Sequence, residues 1–363
     1  MTDSPQKPQE YYRFCPGEEQ IRISDAVCFG RRRANFPKCK NCRFNEEHSP
    51  QPGQNPAATL LGPSKPAEPA ETDRIGLIFQ ANDIRARYPD PLNTDAAWRI
   101  GQACAQFLRS ELRGYDRSQP EKSTIVVGRD MRKSSPALAE ALIEGLRAGG
   151  SPVIDIGLID TPQLYFAVNR LTCCGGVQVT ASHNPDDYNG FKISGLRARP
   201  ISSDTGLTKI RKIAENTIRH TTGSMAPLQT ADLSEPYKTF VRGFLNEDVS
   251  TVSADHPLKV VVDASNGMAG RFFPLIFGDV EWLDAVKLNF EHAGDFHHDP
   301  NPLIEANLSQ LRDRVTRSRA DFGVCFDGDA DRCILVDEKG SPVRGDLMTA
   351  LLVSDLLKEC PGS

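Results

Sequence analysis

The chain has 363 residues, enough for two or three domains each with its own core, so one single compact body is not expected. Hydrophobic residues make up 39% and charged residues 25%, the balance of a soluble globular protein, and a net charge of -5 gives no general pull towards nucleic acid or anionic membrane. No apolar run approaches the ~20 residues needed to cross a bilayer, and the polar opening MTDSPQKPQE lacks a signal pattern, so small-molecule chemistry in the cytoplasm is the expectation.

In chain order, residues 1–47 form a head carrying Cys15, Cys28, Cys39 and Cys42, one tight C-x-x-C and two isolated partners. Four thiolates can close a tetrahedral Zn²⁺ site, and a head this short buries little core, so a metal would offset its ordering cost. An iron–sulfur or redox role and unliganded thiols stay open as alternatives; the ten cysteines as a whole read as reduced thiols. The triplet Arg31 to Arg33 reads as a solvated turn before it reads as a nucleic-acid contact. Residues 48–72, rich in Pro, Ala and Ser, read as an extended linker.

Beyond the linker, short apolar runs alternate with helix-length amphipathic segments: RIGLIF, TDAAWRIGQACAQFLRSEL, STIVVG, SPALAEALIEGLRAGG, VIDIGL and GVQVTAS. This is the rhythm of an α/β domain whose strands are buried on both faces. A second round follows, with strand-like LKVVVDAS, helix-like NLSQLRDRVTRSRA, and strand-like FGVCF and CILVDE. The expected layout is therefore an α/β domain over 73–225, a second over 226–340, and, from DLMTALLVSDLLKE, the start of a third unit over 341–363.

Two loops carry chemistry. In VTASHNPDDYNGFKIS a β-rich run ends at Thr180 and Ala181, and Ser182 to Pro185 must turn, at the kind of strand exit where α/β sheets place ligands. The plain alternative is that Ser182, His183 and Asn184 only satisfy local backbone groups. In FDGDADRCILVDE, Asp327, Asp329 and Asp331 alternate with the small Gly328 and Ala330, which lets one loop bend three carboxylates inward. At about 4 Å apart these would repel by ~4 kcal/mol per pair at an effective dielectric near 20. A hard divalent cation, Mg²⁺ or Ca²⁺, offsets that cost, the alternative being a solvated turn with splayed carboxylates. An EF-hand is rejected although Glu338 stands twelfth from Asp327: the sixth position needs glycine and holds Arg332, and the flanks read as strands. Arg332 instead sets a fixed cation among the anions, as where a phosphate is gripped together with a metal.

Together TASHNP and DGDADR resemble the paired signature of the α-D-phosphohexomutases, the family of phosphoglucomutase and phosphomannomutase. FQANDIR, VGRDMRKSSP, TPQLYFAV, DYNGFKI, VVDASNGMAG and HHDPNPLIEANL resemble the family in the expected order, from about residue 74 to the end. The resemblance implies a phosphorylated serine at Ser182 that gives its phosphoryl group to a hexose phosphate and takes the other phosphate back from a hexose 1,6-bisphosphate, which also serves as activator. It implies Mg²⁺ on Asp327, Asp329, Asp331 and the Ser182 phosphate, Lys192 as proton acceptor with a pKa lowered by nearby cations, and His183, Arg85 and Arg332 around the phosphate. Ala86 stands where the family often has glycine. The family's third and fourth domains are not found before Ser363, so the machinery is expected to be incomplete in this chain, with a separately encoded C-terminal half as a candidate partner. The competing expectation is a non-catalytic remnant or phosphosugar-binding module; glucose or mannose is the expected sugar.

Overall fold

The computed structural model describes residues 74–112, 120–171, 173–219, 224–245 and 253–359, together with the backbone of 12–14 and 22–24. The chain divides into two units, Met1–Pro66 and Ala67–Ser363. In the first, strand β1 (Tyr12–Phe14) pairs antiparallel with β2 (Arg22–Ser24). The expectations for Cys15, Cys28, Cys39 and Cys42 and for the linker lie outside the described residues.

The second unit holds two sheets. The first has six strands in the order β3 (Ile84–Arg87), β7 (Tyr188–Ser194), β6 (Gly175–Val179), β4 (Ile125–Arg129), β5 (Val153–Leu158) and β8 (Leu228–Thr230). β6, β4, β5 and β8 run parallel, and β7 is antiparallel to both of its neighbours. The second sheet orders β10 (Leu283–Leu288), β9 (Leu258–Asp263), β11 (Phe322–Phe326) and β12 (Cys333–Asp337), parallel except between β11 and β12. The fold is thus α/β with mixed, largely parallel sheets. The central strands β4 and β6 are buried along nearly their whole length, which is why they read as continuous apolar runs without alternation.

Helices α1 (Thr94–Ser110) and α2 (Ser135–Ala148) lie side by side. Their contact is close because it is made through glycine: a Cβ on Gly145 would stand 1.9 Å from the Trp98 carbonyl oxygen, and one on Gly101 would stand 2.2 Å from that of Leu142. α3 (Thr161–Arg170) starts at the carboxyl end of β5, with Asp160 as its cap: the Asp160 carboxylate accepts the Gln163 N–H at 2.7 Å. α4 (Thr208–Glu215), α5 (Ser234–Arg242), α6 (Ala269–Phe277), α7 (Ser309–Ser318) and α8 (Gly345–Glu359) complete the set.

One element departs from expectation. RIGLIF is a 3₁₀ turn over Gly76–Ile78, and the strand lies further on at β3. Ile75 and Ile78 are buried while Leu77 faces solvent, a three-residue spacing that fits a tight helical turn.

Candidate active site

Both chemical loops leave the carboxyl ends of strands, the first after β6 and the second after β11, where an α/β sheet presents its loops to ligands. After Val179 the chain turns sharply: the Thr180 hydroxyl accepts the Ser182 N–H at 2.9 Å, and Ser182 takes a left-handed φ of 52°. Arg132 holds this turn from beneath. Its fully buried guanidinium donates to the carbonyl oxygens of Ser182 (2.9 Å), Asn184 (2.6 Å), Pro185 (2.5 Å) and Tyr188 (3.0 Å), and its Nε to Asp130 (3.2 Å).

The second loop meets the first backbone to backbone. A Cβ on Gly328 would lie 2.5 Å from the Ser182 carbonyl oxygen, so no other residue lets the loops approach this closely without a shift. Two further N–H groups fix its path, Met268 to the Gly328 carbonyl at 2.9 Å and Thr161 to the Asp329 carbonyl at 3.0 Å.

The side chains then converge. Ser182 Oγ donates to Asp327 Oδ2 at 2.7 Å and accepts from Arg332 Nη2 at 3.0 Å; His183 Nδ1 lies 3.5 Å away. Arg332 also donates to Asp327 Oδ2 through Nε (3.0 Å) and Nη2 (2.8 Å), and to His183 Nδ1, which leaves the imidazole proton on Nε2. Lys192 donates to Asp329 Oδ2 at 2.6 Å and to Asp331 Oδ2. Arg85, on the edge strand β3, pairs with Asp83 and reaches the loop at Asn184 Oδ1 (2.6 Å) without touching Ser182. Ser182, His183, Lys192, Asp327, Asp329, Asp331 and Arg332 therefore form one cluster with Arg85 at its rim. Arg132, Thr161 and Gly328 belong to it as well; the sequence contains them in VGRDMRKSSP, TPQLYFAV and the acidic loop, but only the fold reveals their contacts.

Electrostatically, burial and the neighbouring charges of Asp329 and Asp331 push Asp327 up to about 7. Burial would also raise Asp329, but the Lys192 ammonium and its hydrogen bonds outweigh that and hold it below the usual carboxylate range. Burial, then Arg332 and Arg85, bring His183 down to about 4, so its imidazole is neutral near pH 7. Lys192 corrects an expectation. Burial would lower it, yet the charges and hydrogen bonds of Asp329 and Asp331 dominate and raise it, so in this arrangement it is a firmly held ammonium.

The three aspartates could hold a metal: one carboxylate oxygen from each lies within 4.8 Å of the others. Asp329 Oδ1 is buried and has no hydrogen-bond partner among the described residues, an orphan acceptor of the kind that a cation satisfies. An all-oxygen donor set suits a hard ion such as Mg²⁺.

Set against known proteins, residues 76–220 match the family description "Phosphoglucomutase/phosphomannomutase, alpha/beta/alpha domain I", and residues 237–340 match domain II of the same description. A Xanthomonas campestris protein named for phosphohexose mutases is 42% identical over 287 residues, which cover 78% of this chain and 60% of that protein. A Salmonella montevideo phosphomannomutase is 38% identical over 293 residues with the same shares. The crystal structure of a phosphoglucomutase/phosphomannomutase family protein from Burkholderia thailandensis superposes with a TM-score of 0.67 at 33% identity, covering 79% of this chain and 60% of that one. The chain thus spans about 60% of the length of the relatives it matches.

Proposed function

Because the chain belongs to the phosphoglucomutase/phosphomannomutase family, we propose that Ser182 carries and exchanges a phosphoryl group with hexose 1- and 6-phosphates, through a hexose 1,6-bisphosphate intermediate that also activates the chain. The observation that carries this reading is the convergence on one hydroxyl: Ser182 Oγ lies 2.7 Å from Asp327 and 3.0 Å from Arg332, with the other two carboxylates alongside. A bare serine needs neither an acidic triplet nor a fixed guanidinium. A serine that alternates between hydroxyl and phosphate dianion needs both positive charge and a place for a bridging cation.

Asp327, Asp329, Asp331 and the phosphorylated Ser182 are the proposed Mg²⁺ ligands. A Mg²⁺ held there would supply positive charge to offset the negative charge of the phosphoryl oxygens during transfer. Arg332 grips a phosphoryl oxygen with the guanidinium that now bonds Ser182 Oγ, and neutral His183, whose Nδ1 accepts from Arg332, holds that guanidinium beside the serine. Lys192 is the proposed proton acceptor for the attacking sugar hydroxyl. In the present arrangement it is an ammonium tying Asp329 to Asp331, so it acts as acceptor only once released from them. No helix among the described residues is long and apolar enough to cross a membrane, and a cytoplasmic site of action fits this reading.

The test is incubation with glucose 1,6-bisphosphate and Mg²⁺, followed by mass mapping of the Ser182 peptide beside a coupled mutase assay. Slow labelling at Ser182 with negligible turnover is the expected result, because isomerisation also requires the bisphosphate to be held while it reorients. Robust multiple turnover would show that these 363 residues suffice. An unlabelled Ser182, with Ser182→Ala behaving identically, would give the lead to a non-catalytic phosphosugar-binding module.

A further inference from the structure

We propose that Thr161 is a positioning residue that decides which oxygen of Asp329 faces the cation. The inference rests on the cation reading above. A carboxylate free to rotate about its Cβ–Cγ bond presents either oxygen, and a loop rich in Gly and Ala does little to restrain it. Here one oxygen is taken. Asp329 Oδ2 accepts from the Thr161 hydroxyl at 2.6 Å and from Lys192 Nζ at 2.6 Å, while Oδ1, equally buried, has no hydrogen-bond partner among the described residues. Thr161 grips the same residue twice, since its backbone N–H also donates to the Asp329 carbonyl at 3.0 Å.

The geometry of that grip is itself fixed. Thr161 is the first residue of α3 and fully buried, and the Asp160 side chain caps the helix through the Gln163 N–H at 2.7 Å. α3 packs on the first sheet, which carries Ser182, whereas Asp329 stands on the loop of the second. Thr161 therefore sets both the orientation of the ligand and its register with the nucleophile loop. Outer partners of this kind commonly govern metal affinity by 10–100-fold.

The experiment measures Mn²⁺ affinity of the full chain, with Mn²⁺ alone as the probe, from the electron paramagnetic resonance of the free ion. Thr161→Val, Thr161→Ala and Thr161→Ser are compared with the unsubstituted chain, and thermal melts confirm folding. The variants lacking the hydroxyl are expected to bind roughly tenfold more weakly or worse, and the Ser variant within about twofold of the unsubstituted chain. A folded Val or Ala variant with undiminished affinity overturns the proposal, as does a Ser variant weakened as much as the other two, since the hydroxyl would then not be the cause. Asp331→Asn separates the two readings. If it abolishes binding while Thr161→Val does not alter it, the cation site stands and the role of Thr161 falls; no Mn²⁺ binding by the unsubstituted chain overturns both.

Discussion

Arg132 illustrates how a single buried charge can organise a reactive turn. Its guanidinium is out of reach of water and offsets the desolvation cost with Asp130 and four carbonyl oxygens, those of Ser182, Asn184, Pro185 and Tyr188. Removing it takes the ion-pair partner from Asp130, which keeps its hydrogen bonds from Ser135 Oγ and a backbone N–H, and takes the guanidinium from all four carbonyls of the turn at once. Arg132→Ala is expected to lower the free energy of unfolding by about 3–5 kcal/mol in urea titrations. Arg132→Lys is expected to fold but to slow labelling at Ser182, because one ammonium cannot span four divergent acceptors. An Ala variant within about 1 kcal/mol of the unsubstituted chain would show that the turn holds itself. This residue also marks the limit of reading the site from sequence. The alternation of Asp327, Asp329 and Asp331 and the loop around Ser182 were legible, since spacing alone brings the carboxylates together. The charge state of Lys192 is not: the family resemblance implies cations around it, and the fold supplies Asp329 and Asp331.

At the scale of elements, legibility followed burial. α1, α2 and α7 were readable because each carries an apolar stripe, and β4, β9 and β11 because they are apolar runs in the middle of sheets. β8 had no side-chain signal to read. All three of its residues are exposed, and it is recruited to the sheet by backbone pairing with β5. β10, at the edge of the second sheet, mixes Asp284 and Lys287 into its apolar positions and was equally hidden. α3 couples such local structure to pH. Its capping Asp160 is fully buried, and that burial, against the hydrogen bonds from Gln163 and Tyr237, pushes its carboxyl up to about 7. Between the ordinary carboxylate range and pH 7 the folded chain thus keeps a proton that the unfolded chain has released. The associated stability is complete in acid and is lost as the pH rises through about 7. A carboxyl so displaced costs roughly 4 kcal/mol at pH 8 at most. Asp160→Asn keeps a competent cap without the charge, so its melting temperature should exceed that of the unsubstituted chain at pH 8 and converge with it towards pH 4. An equal difference at both values would mean that Asp160 does not titrate in this window.

Over the whole molecule the apolar surface is unevenly distributed. The central strands of the two sheets bury theirs, whereas α8 leaves Leu347, Leu351, Leu352, Val353, Leu356 and Leu357 between 43% and 60% exposed, spread around the helix with no polar face to separate them. So much exposed apolar side chain on one helix is rare on a monomer in water and favours association. The 363-residue chain is therefore expected to bind a hydrophobic dye such as ANS while natively folded, and to self-associate with rising concentration in sedimentation experiments. Substituting Leu347, Leu351 and Leu356 together by Gln tests the consequence of this exposure. Side chains this exposed contribute little to folding, each typically within about 0.5 kcal/mol, so the triple variant should lose dye binding and self-association while its melting temperature stays nearly constant. A packed helix predicts the reverse: burying three polar amides would cost several kcal/mol, and the melting temperature would fall sharply with dye binding unchanged or increased.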